Sequence, residues 1–198
     1  MENNVFEQLA KKYDTEERME LAKIIVKEVR GALQNSKSKS LIDYGSGTGL
    51  IGLELSDLVD SILLVDSSEQ MLEVAQAKIP RREITNANVL YSDFTQEVPK
   101  FKADIVLMSL VLLHIPDTQK ILQALFNILN DGGKLIIIDF DKNDKINHPK
   151  VHNGFSHTEL KEKLAEAGFK STEMKTFYHG NRIFMKQDAS MFISSSIK

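Results

Sequence analysis

The chain has 198 residues, which makes a single domain the expectation on the rough prior of ~150 residues per domain. Charged residues form 27%, the net charge is −3 and the basic residues are scattered, which argues against a nucleic-acid-binding stripe. There is no cysteine, which excludes disulfides, cysteine-ligated zinc and a thiol nucleophile within the chain and fits a reducing cytoplasm.

Met1-Glu2-Asn3-Asn4 carries neither a basic region nor a long apolar run, so no signal peptide is expected. The most apolar run, residues 105–113, has nine residues, whereas a membrane helix needs ~20. The expectation is a cytoplasmic protein without a membrane anchor.

Val5, Phe6, Leu9, Ala10 and Tyr13 recur at helical spacing, as do Met19, Ala22, Ile25, Val26, Val29 and Leu33. Two helices are predicted within residues 1–36, as a cap on the core at 37–198. Residues 41–44 then read as a short buried strand. It runs into Asp43-Tyr44-Gly45-Ser46-Gly47-Thr48-Gly49, with glycine at alternate positions. Glycine takes a left-handed conformation cheaply and lets a ligand approach the backbone. Apolar residues at 50–55 predict a helix after the turn. Strand, glycine turn and helix together open a nucleotide-binding α/β domain.

Dinucleotide oxidoreductases use Gly-x-Gly-x-x-Gly. Gly47, Gly49 and Gly52 meet that pattern, but two residues too far from the strand for a tight turn. The register that starts at Asp43 has no such slack.

Residues 61–66 form a second strand ending on Asp66, and Ser67 or Ser68 caps the helix that follows. In parallel sheets, ligands sit off the carboxyl ends of the strands, which puts Asp66 beside the glycine turn. A carboxylate there can accept bonds from both hydroxyls of a ribose. Residues 89–91 are a third strand, followed by Asp93 and Phe94. Residues 105–109 are a fourth, ending on Ser109, with His114 just beyond.

Asp117 to Leu129 has helical period, Asn130-Asp131-Gly132-Gly133 ends it, and residues 134–140 are a fifth strand. Ser156-His157-Thr158-Glu159 is a capping box. Residues 173–178 and 189–197 are read as a terminal antiparallel pair.

Asp43 to Gly49, Asp66 and Asp93 together resemble the motifs of the class I (Rossmann-like) S-adenosylmethionine-dependent methyltransferases. The Leu-x-x-Gly-Gly at residues 129–133 is similar to another feature of that family. The resemblance implies a three-layer, doubly wound, mostly parallel seven-stranded sheet with a terminal antiparallel strand, preceded by helices. It implies S-adenosylmethionine as cofactor and S-adenosylhomocysteine as product. The cofactor-binding residues would be Asp43, Gly45, Gly47, Gly49, Asp66, Ser67, Met71 against adenine, Asp93 and Phe94 at its amino group and ring, and Ser109.

Ser109-Leu110-Val111-Leu112 stands where enzymes that methylate DNA bases or protein glutamine carry Asn/Asp-Pro-Pro-Tyr. A small-molecule acceptor is therefore expected, and no nucleic acid. His114 is the candidate general base, and Tyr13, His152 and Tyr178 are candidate acceptor-binding residues; His179 is a weaker one. His148, His152 and His157 lie across a loop without a completing acid or thiol set. Asp139 and Asp141 resemble metal-binding acids of the magnesium-dependent catechol methyltransferases, but the further Asp and Asn of that branch cannot be assigned. No metal is expected. Two alternatives stay open: an NAD(P)-dependent oxidoreductase, and a cofactor-binding protein without catalytic activity. The acceptor and the oligomeric state are not legible.

Overall fold

The computed structural model describes residues 5–198. Residues 1–4, where a leaderless start was expected, lie outside the described residues. The strands form a seven-stranded mixed sheet in the order β3 (Ala87–Tyr91), β2 (Ser61–Asp66), β1 (Ser40–Tyr44), β4 (Ala103–Ser109), β5 (Leu129–Phe140), β7 (Gln187–Ile197), β6 (Ser171–Phe184), the architecture that the resemblance implies. The chain divides into two compact units, Met1–Asp93 and Phe94–Lys198. Among the described residues no helix is long and apolar enough to cross a membrane.

The first unit opens with α1 (Val5–Leu9) and a 3-10 turn (Ala10–Lys12), then α2 (Glu16–Ala32). Thr15 caps α2, its hydroxyl accepting from the Arg18 N–H at 3.3 Å, and satisfies a donor that helix geometry leaves open. Ala22, Ile25 and Val29 form the buried stripe, as their spacing predicted.

β1 (Ser40–Tyr44), β2 (Ser61–Asp66) and β3 (Ala87–Tyr91) run parallel, with Asp43 opposite Leu64 and Asp66 opposite Tyr91. Leu41, Ile42, Leu64 and Val65 are all at most 2% exposed, as strands covered on both faces require. α3 (Glu69–Arg81) lays Met71, Leu72, Ala75 and Ile79 inward. The helix expected at 50–55 differs: residues 52–58 form a 3-10 segment (Gly52–Leu58). Gly52 approaches so closely that a Cβ there would lie 2.4 Å from Asp43 Oδ2 and 2.6 Å from Leu64 Cδ2.

In the second unit, β4 (Ala103–Ser109) runs parallel to β5 (Leu129–Phe140). α4 (Thr118–Ile128) begins on Asp117, whose carboxylate accepts from the Lys120 N–H at 3.0 Å. The helix stops at Ile128, and the chain passes directly into β5. Residues 130–133, expected as the helix terminator, are a bulge in that strand, because the register jumps from Ala103 opposite Leu129 to Ile105 opposite Lys134. Ser156 caps α5 (His157–Glu166) by accepting from the Glu159 N–H, as the box predicted. β6 (Ser171–Phe184) and β7 (Gln187–Ile197) are longer than expected and pair antiparallel, and β7 also pairs antiparallel with β5. They turn at Met185 and Lys186, with φ of 49° and 62°.

Candidate functional site

The first unit builds a cradle at the carboxyl ends of β1 and β2. Gly45, Gly47 and Gly49 have φ of 73°, 54° and 76°, a left-handed succession that glycine adopts without the Cβ penalty. The turn is held by backbone bonds from the Gly45 and Ser46 N–H groups to the Val65 carbonyl. Asp66, the last residue of β2, places Oδ2 2.7 Å from the Gly47 N–H and Oδ1 2.9 Å from the Ser68 N–H. One carboxylate thereby ties the turn to the start of α3. Ser68, not Ser67, caps α3, accepting from the Met71 N–H. Burial raises the Asp66 pKa, and the N–H bonds from Gly47, Ser68 and Ser67 oppose that rise.

Asp43 lies beneath the turn and is 2% exposed. Its Oδ2 has no hydrogen-bond partner, an uncommon state for a buried carboxylate oxygen. Burial, and secondarily the negative charge of Asp66, push its pKa up to about 7, and a Gly52 backbone bond opposes the shift. The cradle therefore holds two acids that favour a positively charged or donor-rich ligand.

The N-terminal segment covers the cradle from the other side. The Tyr13 ring lies 3.9 Å from where a Gly47 Cβ would stand. Burial raises the Tyr13 pKa; the Arg18 cation, 4.3 Å from the ring centroid, opposes this, while Asp66 and Asp14 add to it. Glu7 Oε2 accepts from the Gln70 N–H at 3.3 Å. Asp14, Thr48 and Lys78 form a closed set of contacts here. The sequence carried no signal for it, because the three residues are distant in the chain and none completes a motif.

The remaining expected residues are placed as follows. Ser67 is exposed at the end of β2, and Met71 is 1% exposed within α3. Asp93 is half-buried just beyond β3, and its Oδ1 accepts from the Tyr44 hydroxyl at 3.4 Å.

In the second unit, Phe94 is 1% exposed and Ser109 ends β4 with its hydroxyl oxygen buried and without a partner. His114 closes a 3-10 turn (Leu112–His114). His114 is exposed at the surface, and the protein around its ring, and secondarily the charge of His148, lower its pKa. Below this turn, Asp139 is fully buried and accepts from the Leu113 and Phe140 N–H groups at 3.1 and 2.8 Å. Burial pushes its pKa up to about 7 against those bonds.

His152 donates from Nε2 to the Ile115 carbonyl at 2.9 Å, which assigns its tautomer, and it helps line a cavity of about 480 Å³ with Pro116, Lys142, Phe155 and Lys163. Tyr178 is half-buried on β6, and His179 Nδ1 bonds the Ser190 hydroxyl at 3.0 Å. His157, one of the loop histidines, pairs with Asp141 at 2.9 Å. Among the described residues no group of three or more His, Cys, Asp or Glu could hold a metal ion.

Comparison with known proteins agrees with this fold. A family described as "Methyltransferase domain" matches residues 35–188. A ubiquinone/menaquinone biosynthesis C-methyltransferase, UbiE, from Wigglesworthia glossinidia brevipalpis is 34% identical over 110 residues, covering 52% of this chain and 44% of that protein. The chain spans about half the length of the curated relatives it matches.

Among solved structures, a SAM-dependent methyltransferase from Aquifex aeolicus superposes with a TM-score of 0.71 at 21% identity, covering 96% of this chain and 97% of that one. Phosphoethanolamine N-methyltransferase 2 of Haemonchus contortus, in complex with S-adenosyl-L-methionine, gives 0.67 at 14% identity, covering 82% of this chain and 49% of that one. At these identities the similarity is one of fold.

Proposed function

The chain belongs to the methyltransferase domain family, and from that premise we propose that it transfers a methyl group from S-adenosylmethionine to a small-molecule acceptor. One observation supports this above the others: the Asp66 carboxylate stands at the end of β2 and is bonded into the left-handed glycine turn. In the proposed complex Asp66 accepts the two ribose hydroxyls, and Gly45, Gly47 and Gly49 let the cofactor approach the backbone. Asp43 offers a carboxyl below the turn and Ser67 borders the ribose. Met71, Asp93 and Phe94 serve the adenine, and Ser109 contributes through its backbone. The unpartnered oxygen of Asp43 and the raised pKa of both acids suit a ligand that carries an ammonium and a sulfonium.

The cofactor supplies an activated methyl group. The chain's own task is to orient the acceptor and exclude water, which contributes up to ~7–11 kcal/mol in well-oriented model reactions. The lowered pKa of His114 favours the neutral imidazole, the form that accepts a proton from an acceptor that must lose one. Tyr13, His152 and Tyr178 are proposed to line the acceptor's path. Among small molecules, the similarity to C-methyltransferases of ubiquinone and menaquinone biosynthesis favours an acceptor methylated at carbon. A cytoplasmic location belongs to the same proposal and is supported by the absence of cysteine.

The test uses methyl-labelled S-adenosylmethionine with separated small-metabolite and nucleic-acid fractions. Label should enter the small molecules. Efficient labelling of DNA or RNA, with binding that falls steeply as salt rises, would contradict the proposal.

A further inference from the structure

Lys78 lies on the half-buried face of α3, and the N-terminal helix and 3-10 turn pack on that helix. Its ammonium is 2.6 Å from Asp14 Oδ2 and donates to the Thr48 carbonyl at 2.7 Å. The Thr48 hydroxyl donates to the other Asp14 oxygen at 2.5 Å. Three segments thus meet in one closed set: the N-terminal cap, the glycine turn and α3. Thr48 is 1% exposed, and the Lys78 and Asp14 side chains are 23% and 27% exposed. Water screens such a pair less than it screens one on the surface.

Thr48 stands between Gly47 and Gly49. The Gly47 N–H is already fixed by Asp66, so the turn is pinned at successive residues from two different elements. Through Asp14, the same ammonium also holds the segment that lays Tyr13 over the turn.

We propose that Lys78 is a positioning residue for the cofactor: with Asp14 and Thr48 it latches the N-terminal segment onto the glycine turn and sets how long a bound cofactor stays. This rests on the cofactor reading given above. A ligand held between the turn and Tyr13 leaves when the segment lifts. Lifting breaks the Asp14 contacts to Lys78 and Thr48. No cofactor contact is assigned to Lys78, so its loss acts on the dissociation rate and not on the direct contacts to the cofactor.

The test compares wild type, Lys78→Met, Lys78→Arg, Asp14→Asn and Arg30→Met. Arg30 is the control. It bridges α2 to Asp57 with two bonds of 2.8 and 2.7 Å in the same unit, away from the turn. Dissociation of S-adenosylhomocysteine from the immobilised 198-residue chain is measured by surface plasmon resonance, beside melting without ligand. Lys78→Met should speed dissociation by about tenfold or more while leaving association within about threefold, the usual division of affinity changes. Asp14→Asn should act in the same direction, Lys78→Arg should recover much of the loss, and Arg30→Met should leave dissociation unchanged.

Equal dissociation rates for Lys78→Met and Arg30→Met would overturn the latch. If Lys78→Met does not fold, the Asp14→Asn rate decides in the same way. A folded wild type that fails to bind S-adenosylhomocysteine overturns the cofactor reading, and the latch with it.

Discussion

Asp66 does two things with one carboxylate, and only one of them was legible. Its place at a strand end, next to a glycine turn, follows from the sequence. Its bonds to the Gly47 and Ser68 N–H groups do not, because they depend on how the turn folds back. Hydrogen bonds to a charged group contribute roughly 1.5–3 kcal/mol each. Asp66→Ala should therefore weaken S-adenosylhomocysteine binding at least about tenfold in calorimetry, with Asp66→Asn between it and wild type. The same change should also cost about 1–3 kcal/mol of stability, because two backbone donors lose their partner. Asp57→Ala removes an exposed partner of Arg30 and should leave binding unchanged. Equal binding by Asp66→Ala and Asp57→Ala would mean that the cradle is misassigned.

Asp139 offers a test that is independent of any ligand. Its carboxyl is raised from 3.8 to about 7 in the folded chain. Below pH ~4 both folded and unfolded forms are protonated, and the group contributes no pH dependence. Between pH ~4 and ~7 only the unfolded chain has released the proton, so wild type loses stability as pH rises. Above pH ~7 the loss is complete, on the order of 4 kcal/mol at ~1.36 kcal/mol per pKa unit. Asp139→Asn has no such titration. In urea unfolding, its stability relative to wild type should climb from pH 4 to pH 7 and then level off; a constant difference would show that Asp139 is not held neutral.

Among the elements, glycine has more than one use. Gly47 is left-handed, but its missing Cβ would have room, with the nearest atom at 3.9 Å. Gly52 has an ordinary φ but no room, since Asp43 and Leu64 lie against it. Overpacking of that kind costs typically ~1–3 kcal/mol, and left-handed strain ~1–2 kcal/mol. Gly52→Ala should lower the urea midpoint markedly through a clash that also displaces Asp43, whereas Gly47→Ala should act through the backbone alone. Equal binding and stability for Gly52→Ala and wild type would rule out the close packing. The Gly47–Gly52 register that matches a dinucleotide fingerprint therefore has a packing reason for its last member.

The parallel strands, α3, α4 and α5 were readable, because burial on both faces, helical period and capping serines are local signals. The 3-10 segment after the turn was not, because it reflects how closely Gly52 packs. The extended β6–β7 hairpin was not either. Its turn uses Met185 and Lys186 at positive φ, residues that seldom announce a two-residue turn. The bulge at residues 130–133 looked like a helix stop, since Gly132 does have the left-handed φ of 74° that such a stop needs.

For the molecule as a whole, the family match begins at residue 35, whereas Tyr13 and Asp14 precede it. The glycine turn, Asp66 and Asp93 lie within the matched residues, and the covering segment with Tyr13 and Asp14 lies before them. The glycine register alone permits two cofactor classes, and the family match to a methyltransferase domain favours one of them. The direct measurement is calorimetric titration of the full chain with S-adenosylhomocysteine and, separately, with NAD. Micromolar-range binding of S-adenosylhomocysteine, with no comparable heat from NAD, is the predicted result; NAD binding as the tighter ligand would contradict the assignment.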